Sequence, residues 1–378
     1  MRIGLLASVG HMIDSFFPGI VTSWTAAGHE VFPAAGTPGE DDACTVIDGL
    51  TRHPGLGILR ARAGLRRWVA EQRLDVVVTN SATASAIVRG SDVGAPIVYF
   101  CHGLHWNSGR HAAERVWQVL EAGLLSTTAG VITINADDQA WFAQRFPRRR
   151  ILQLPTGVGL DLAAYPASPV PRTDEALRLL WIGEFSPRKR PDLALDIAVR
   201  LQSLGVPFAL RMLGEGSLLK ATRERIRELR IDSLVEAPGR GEASSELART
   251  HSLIHTSTWE GLPRVMLESL AVGRRAYAFD VKGVRDIPGA ILSTDGDCAG
   301  LADRIAVDWA SGELLKPVRF DREKLDSSHS AGMIRLFLEE SIVGDRDINA
   351  REKLGKRQDL PAAESDLMVE PDVQNGTT

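Results

Sequence analysis

Short runs of consecutive apolar residues, each closing on a small or polar residue and each followed by a helical stretch, recur along most of the chain. In the first half they are Ile3–Ala7, Asp75–Thr79, Ile97–Phe100, Val131–Ile134 and Ile151–Leu154. In the second they are Leu177–Ile182, Phe208–Leu213, Val235–Ala237, Leu253–His255, Tyr277–Phe279 and Ala290–Leu292. A strand that is apolar throughout leaves no face for water, so it belongs in a parallel sheet covered by helices on both sides. The pattern runs twice, and the break between the two runs is the proline-rich, aperiodic stretch Ala163–Pro171. The fold class expected is α/β, with two doubly wound domains, 1–165 and 172–320, facing each other across a cleft. A helix near Ser330–Ile342 carries Met333, Ile334, Leu336 and Phe337 at helical spacing, which sets segment 321–344 against a domain face. Beyond Asp345 the chain is polar without an aromatic residue, and from Gln358 it has five acids and no Lys or Arg, predicting a disordered tail over 345–378.

Composition narrows the function classes. With 44% hydrophobic and 24% charged residues in 378, the chain is an ordinary globular one. A net charge of −4 speaks against a nucleic-acid partner. Three widely spaced cysteines, Cys44, Cys101 and Cys298, suit a reducing compartment better than a disulfide framework or a zinc cluster. No apolar run approaches the ~20 residues a membrane span needs. The stretch after Met1 reads as a first strand because His11 and Asp14 stand where a cleavage region would be. A cytoplasmic protein is the expectation.

In doubly wound sheets, ligands bind outside the carboxyl ends of the strands. That rule nominates Gly10 and His11, Asn80 and Ser81, the run Cys101–Trp106, and Asn135 with Asp137 in the first domain. In the second it nominates Gly183–Arg190, Gly214–Gly216, Gly239 with Arg240, and Glu260. His102 directly follows a strand and precedes a glycine, a good position to meet a ligand; His105 and Trp106 suit either contact with it or a cleft wall. Helix capping accounts for Asp138. The loop Gly183-Glu184-Phe185-Ser186-Pro187-Arg188-Lys189-Arg190 places three cations at a strand end, and Lys189 is the first lysine in the chain.

The densest signal is Thr258-Trp259-Glu260-Gly261-Leu262-Pro263-Arg264-Val265-Met266-Leu267-Glu268. Pro263 suits a helix start and Gly273 a helix end. Glu260 then lies on the loop before the helix and Glu268 just over one turn inside it, while the amides of Arg264, Val265 and Met266 point out as an anion site. Alone, each acid also fits ordinary helix electrostatics. Opposite three cations, two acids flanking an anion site suit a ligand with both hydroxyls and phosphates, such as a nucleotide sugar.

Together these residues resemble family 4 of the retaining glycosyltransferases, with two Rossmann-like domains in the GT-B arrangement. The resemblance covers about Met1 to Ile342 and rests on E-G-L-P-R-V-M-L-E, which matches the family's E-x7-E signature, with G-E-F-S-P-R-K-R, L-G-E-G and L-P-T-G-V-G-L-D in support. The H-G-L-H-W, V-I-T-I-N-A-D-D and S-V-G-H-M-I-D-S-F-F-P stretches are similar to bacterial exopolysaccharide and O-antigen assembly enzymes. The resemblance implies that Glu268 binds the ribose hydroxyls and Glu260 those of the transferred sugar. It implies that Lys189 holds the donor diphosphate and that His102 lies near the anomeric carbon. It places Gly10 at the diphosphate, Gly239 and Arg240 near the base, and His11, His105 and Trp106 on the acceptor side.

Two departures stand out. Glu184 occupies a position where many members have arginine, leaving Arg188 or Arg264 to supply the second cation. Pro263 replaces a common glycine and removes an amide donor. The implied reaction moves a sugar from a nucleoside diphosphate donor, UDP by family tendency, to a glycan or polyprenyl-diphosphate-linked acceptor, with retention and front-face attack. With cations and a helix dipole to meet the diphosphate, no metal or other cofactor is expected. The amphipathic stretch Ile58–Leu74, rich in arginine, suits either a normal surface helix or contact with the cytoplasmic face of the membrane. Rival readings are a non-hydrolysing nucleotide-sugar epimerase, a transferase for a small soluble acceptor and, less well, a two-lobed solute-binding protein. A nicotinamide dehydrogenase lacks its G-x-G-x-x-G.

Overall fold

The computed structural model describes residues 1–40, 43–52, 55–104, 106, 112–147, 149–172 and 176–358. The first domain contains β1 (Arg2–Ala7), α1 (Gly10–Phe16), α2 (Pro18–Ala26), β2 (Glu30–Ala35), β3 (Thr45–Val46), α3 (Ile58–Glu71), β4 (Val76–Thr79), α4 (Ala82–Arg89), β5 (Ile97–Cys101), α5 (Ala112–Leu124), β6 (Gly130–Thr133), α6 (Ala136–Arg145) and β7 (Arg150–Gln153). The second contains β8 (Leu177–Ile182), α7 (Pro191–Ser203), β9 (Phe208–Leu213), α8 (Leu219–Glu228), β10 (Val235–Gly239), α9 (Ala243–Ala248), β11 (Ser252–His255), α10 (Arg264–Val272), β12 (Arg275–Phe279), β13 (Ile291–Ser293) and α11 (Cys298–Ala310). A last helix, α12 (Ser327–Gln358), follows.

The strands form two parallel sheets, one of seven in the order β3-β2-β1-β4-β5-β6-β7 and one of six in the order β10-β9-β8-β11-β12-β13. Side chains alternate between faces, so Ile3 and Leu5 of β1 join Phe17, Ile20 and Trp24 in one core while Leu6 joins Leu65 and Trp68 in the other. β2 carries Pro33 and β3 is two exposed residues, so neither shows as an apolar run.

α3 covers the first sheet. Its apolar face, Ala61, Leu65, Trp68 and Val69, is buried in that core. Arg62 and Arg66 bond to the 90–92 turn, and Arg60 pairs with Asp48. The apolar face is thus consumed by the sheet, which needs a cover on that side, as in a normal surface helix of this domain. No helix among the described residues is long and apolar enough to cross a membrane.

The chain passes between the domains twice, and the two passages touch. Leu160 N–H donates to the Leu325 carbonyl at 2.7 Å, and Ser327 N–H to the Leu160 carbonyl at 2.9 Å. Further along the outward passage, the buried Arg274 guanidinium bonds to the Ser168 and Pro169 carbonyls, each at 2.8 Å. α12 then packs on α2, where the Trp24 indole donates to the Ala331 carbonyl at 3.0 Å. It continues to Gln358, so residues 345–358, expected to be disordered, are helical. Their composition is polar, but Ala, Arg, Glu and Lys are strong helix formers, and polarity alone did not weigh that. The tail from 359 lies outside the described residues.

Candidate active site

The order of the second sheet reverses between β8 and β11, which opens a crevice at the strands' carboxyl ends. The loop after β8 brings Arg188 and Lys189; the loop after β11 brings Glu260. Lys189 Nζ donates to Glu260 Oε1 at 2.6 Å, and Arg188 Nη1 to Oε2 at 2.7 Å. The Ser257 hydroxyl also donates to Oε1. His255 Nε2 stands 3.3 Å from Oε1 but off the line of a hydrogen bond, so it is a close polar contact only.

Burial acts to raise the Glu260 carboxyl, but the adjoining His255 and the Lys189 ammonium outweigh it and hold the group well below the usual carboxylate range. On Lys189 burial prevails and lowers the ammonium, with Glu260 opposing. The 2.6 Å contact is that of a charge-assisted bond, and an ion pair is the state it describes at neutral pH.

α10 begins beside this clamp. Pro263 is its N-cap in extended backbone, so the helix starts one residue later than expected, at Arg264, and Gly273 ends it in the left-handed region at φ 89°. The Met266 amide is taken by the Pro263 carbonyl at 3.0 Å, so the outward donors are Arg264 and Val265, one fewer than expected. Glu268 faces the same cleft. Burial raises its carboxyl, opposed by the Tyr165 hydroxyl and by Arg264, whose Nε lies 4.0 Å away.

His102 closes the cleft from the first domain. Its ring stacks on Phe100 at 4.4 Å and meets Phe17 edge-on at 6.1 Å. The residue as a whole is half-buried, but the ring tip is shut in, and Nε2 is buried without a hydrogen-bond partner. Burial pushes its pKa down to about 4, leaving the imidazole neutral. The His102 carbonyl lies so close to Gly261 that a Cβ there would stand 2.1 Å from it. The cleft so formed holds about 460 Å³ and is lined by His102, Lys189, Glu260, Arg264, Val265 and Glu268, with Phe16, Thr156, Glu184 and others completing the wall.

Comparison with known proteins accords with this geometry. Residues 15–157 match a family model described as glycosyl transferase 4-like domain, and residues 168–290 match glycosyl transferases group 1. The chain belongs to the family 4 glycosyltransferases. The amylovoran biosynthesis glycosyltransferase AmsD of Erwinia amylovora is 29% identical over 139 residues, 36% of this chain and 36% of that protein, so the match spans about a third of the relative. The structure of Anabaena HepE in complex with UDP matches with a TM-score of 0.66 at 17% identity, over 94% of this chain and 100% of that one. A glycosyltransferase from Rickettsia africae matches at 0.68 and 13% identity, over 92% and 97%. At these identities the structural likeness speaks to the fold, which is GT-B.

Other motif positions of this family 4 member lie apart from the cleft wall. The Gly10 amide donates to the Thr37 hydroxyl at 3.0 Å, and a Cβ there would stand 2.3 Å from the Pro38 carbonyl, so this glycine answers to backbone packing. His11 is 80% exposed beside Ser15 and Glu40. Arg188 does not line the cleft; it is spent on Glu260 and the Trp259 ring, leaving Arg264 as the second cation there. Arg240 pairs with Glu215 at 2.8 Å in a shallow recess that shares Gly183 and Glu184 with the cleft. Gly239 holds a left-handed φ of 111° just before it. Trp106 walls a separate apolar groove with Leu104, Trp117 and Leu120. His105 lies outside the described residues.

Three participants were not foreseen. Tyr165 comes from the linker, whose composition marked only the break between the two domains. Asp138 is more than a cap: Asn135 is the N-cap, and the Asp138 carboxylate pairs with Lys282 of the other domain at 2.7 Å. Lys282 is an isolated lysine after β12 and carried no motif.

Proposed function

We propose that the protein transfers a sugar from a nucleoside diphosphate sugar, UDP being the nucleotide favoured, to a glycan or lipid-linked acceptor in the assembly of a cell-surface polysaccharide. The observation that carries this reading is the convergence, on one cleft, of Lys189, Arg264 and two free helix amides with the acids Glu260 and Glu268. Positive groups and an N-terminal dipole suit a diphosphate, and buried carboxylates suit hydroxyls. The amylovoran relative and the neighbour bound to UDP support the donor and the pathway class.

In the proposed reaction the bond from the anomeric carbon to the diphosphate oxygen breaks, and the acceptor oxygen bonds to that carbon on the same face. The acceptor's proton passes to the departing phosphate. Lys189, Arg264 and the amides of Arg264 and Val265 stabilise the charge that develops on the leaving group, the role a metal plays elsewhere. The neutral His102, with Nε2 unpartnered, offers a hydrogen bond to a sugar or acceptor hydroxyl. On the acceptor side, Val116, Trp117, Val119 and Leu120 of α5 are more than half exposed beside the Trp106 groove. That surface, rather than Ile58–Leu74, supports an amphiphilic acceptor and a peripheral position on the cytoplasmic membrane face.

The test is thermal stabilisation by a panel of UDP-, GDP-, ADP- and TDP-sugars, on the wild type and on Glu268→Ala. A ligand at one hundred times its dissociation constant should stabilise by about 2.7 kcal/mol. One nucleotide series should do so, and Glu268→Ala should lose about 10- to 100-fold in affinity, the worth of a charged hydrogen bond. No shift with any nucleotide sugar would overturn the proposal.

A further inference from the structure

We propose that Lys282 is a positioning residue that holds the His102 loop of the first domain in register with Glu260 of the second; this rests on the transferase reading above. The Lys282 ammonium reaches across the domain seam and uses three donors. It binds Asp138 Oδ1 at 2.7 Å, the Leu104 carbonyl at 2.9 Å and the Trp106 carbonyl at 3.4 Å. Asp138 Oδ2 in turn accepts from the Leu104 amide at 3.0 Å, so Leu104 is gripped at both its carbonyl and its amide.

On the other side, the main chain of Lys282 is fixed to the donor site. Its carbonyl accepts from the Glu260 amide at 3.0 Å. The next residue, Gly283, has a φ of 75°, and a Cβ there would lie 2.3 Å from the Glu260 carbonyl. One residue thus bonds by its backbone to Glu260 and by its side chain to the loop that carries His102. The Lys282 and Asp138 side chains are 11% and 2% exposed, so solvent screens their contact little.

A buried ion pair adds little net stability but fixes geometry, and a displacement of about 1 Å at a reacting group can cost on the order of 100-fold in rate. The cleft residues assigned to the diphosphate and ribose, Lys189, Arg264 and Glu268, all belong to the second domain, so loss of the latch should affect turnover far more than donor affinity. Lys282→Met in the full chain should lower turnover of the nucleotide sugar that stabilises the wild type by about 100-fold, with KM for that donor and Kd for its nucleoside diphosphate changed less than about threefold. Lys282→Arg should recover part of the rate.

The double variant Lys282→Met/Asp138→Asn separates positioning from simple charge stranding, because it removes the stranded charge while the amide oxygen still accepts from the Leu104 N–H. It should regain thermal stability while turnover stays low; a return to wild-type turnover would overturn the proposal. Hydrogen exchange needs no substrate: residues 102–104 should exchange faster in Lys282→Met than in the wild type, and unchanged exchange would also overturn it. If the wild type binds and turns over no nucleotide sugar, the transferase reading fails, and the exchange result alone decides the latch.

Discussion

Acidification from about pH 7.5 to about pH 5 should cost the wild-type protein some 2 kcal/mol more stability than it costs a His102→Gln variant. His102 is packed among Phe16, Phe17 and Phe100, and its buried Nε2 has no partner to stabilise a proton. Burial alone moves its pKa from 6.5 to about 4. The folded value lies below the unfolded one, so on acidification the unfolded chain takes up the proton first. Nothing is lost above pH 6.5; the loss grows as pH falls from 6.5 towards about 4, then levels off. At about 1.4 kcal/mol per unit, it amounts to about 2 kcal/mol at pH 5 and about 3 kcal/mol at full extent. His29, His251 and His255 are also lowered by burial, but they remain in both proteins and cancel in the difference. Urea unfolding of the pair at both pH values measures the difference, and NMR of ring-labelled histidine, assigned with the variant, gives the titration midpoint directly. A midpoint near 6.5, or the same pH dependence in both proteins, would show that the ring is open to water.

Other substitutions probe the seam and the clamp. Gly261→Ala drives a Cβ to 2.1 Å from the His102 carbonyl, backbone against backbone, and should cost about 1–3 kcal/mol and most of the turnover, read by thermal melting and nucleotide release. An unchanged melt would mean the two loops are not held together in solution. Lys189→Met should destabilise by about 3 kcal/mol, the low end for a broken buried pair, because Arg188 and Ser257 still hold Glu260. It should also weaken nucleoside diphosphate binding, measured by calorimetry; undiminished affinity would place the diphosphate elsewhere.

The apolar runs made the sheets legible because a fully buried strand has only one kind of sequence. Where that constraint relaxes, as in β2 with Pro33 or the exposed β3, the signal vanishes. Glu260, Glu268, Lys189 and His102 were legible because strand ends and helix starts place them by rule. The packing of Gly10 on Pro38 was not legible because a glycine required by a ligand and one required by a neighbouring backbone leave the same letter. Lys282 and Tyr165 were not legible at all. Each acts by a side chain that crosses to residues more than one hundred positions away, and no local pattern encodes that reach.

The doubled passage between the lobes has a mechanical meaning. A single thread is a ball joint, and lobes hung from it can tilt, spin and slide. Two threads laced together at Leu160, Leu325 and Ser327 behave as a door hinge, with freedom about one line and little about the others. With Arg274 clamping the outward thread at Ser168 and Pro169, the pivot is confined to a few residues. A hinge of that kind allows one arc of movement, which brings the His102 loop to the Glu260 loop in one register only.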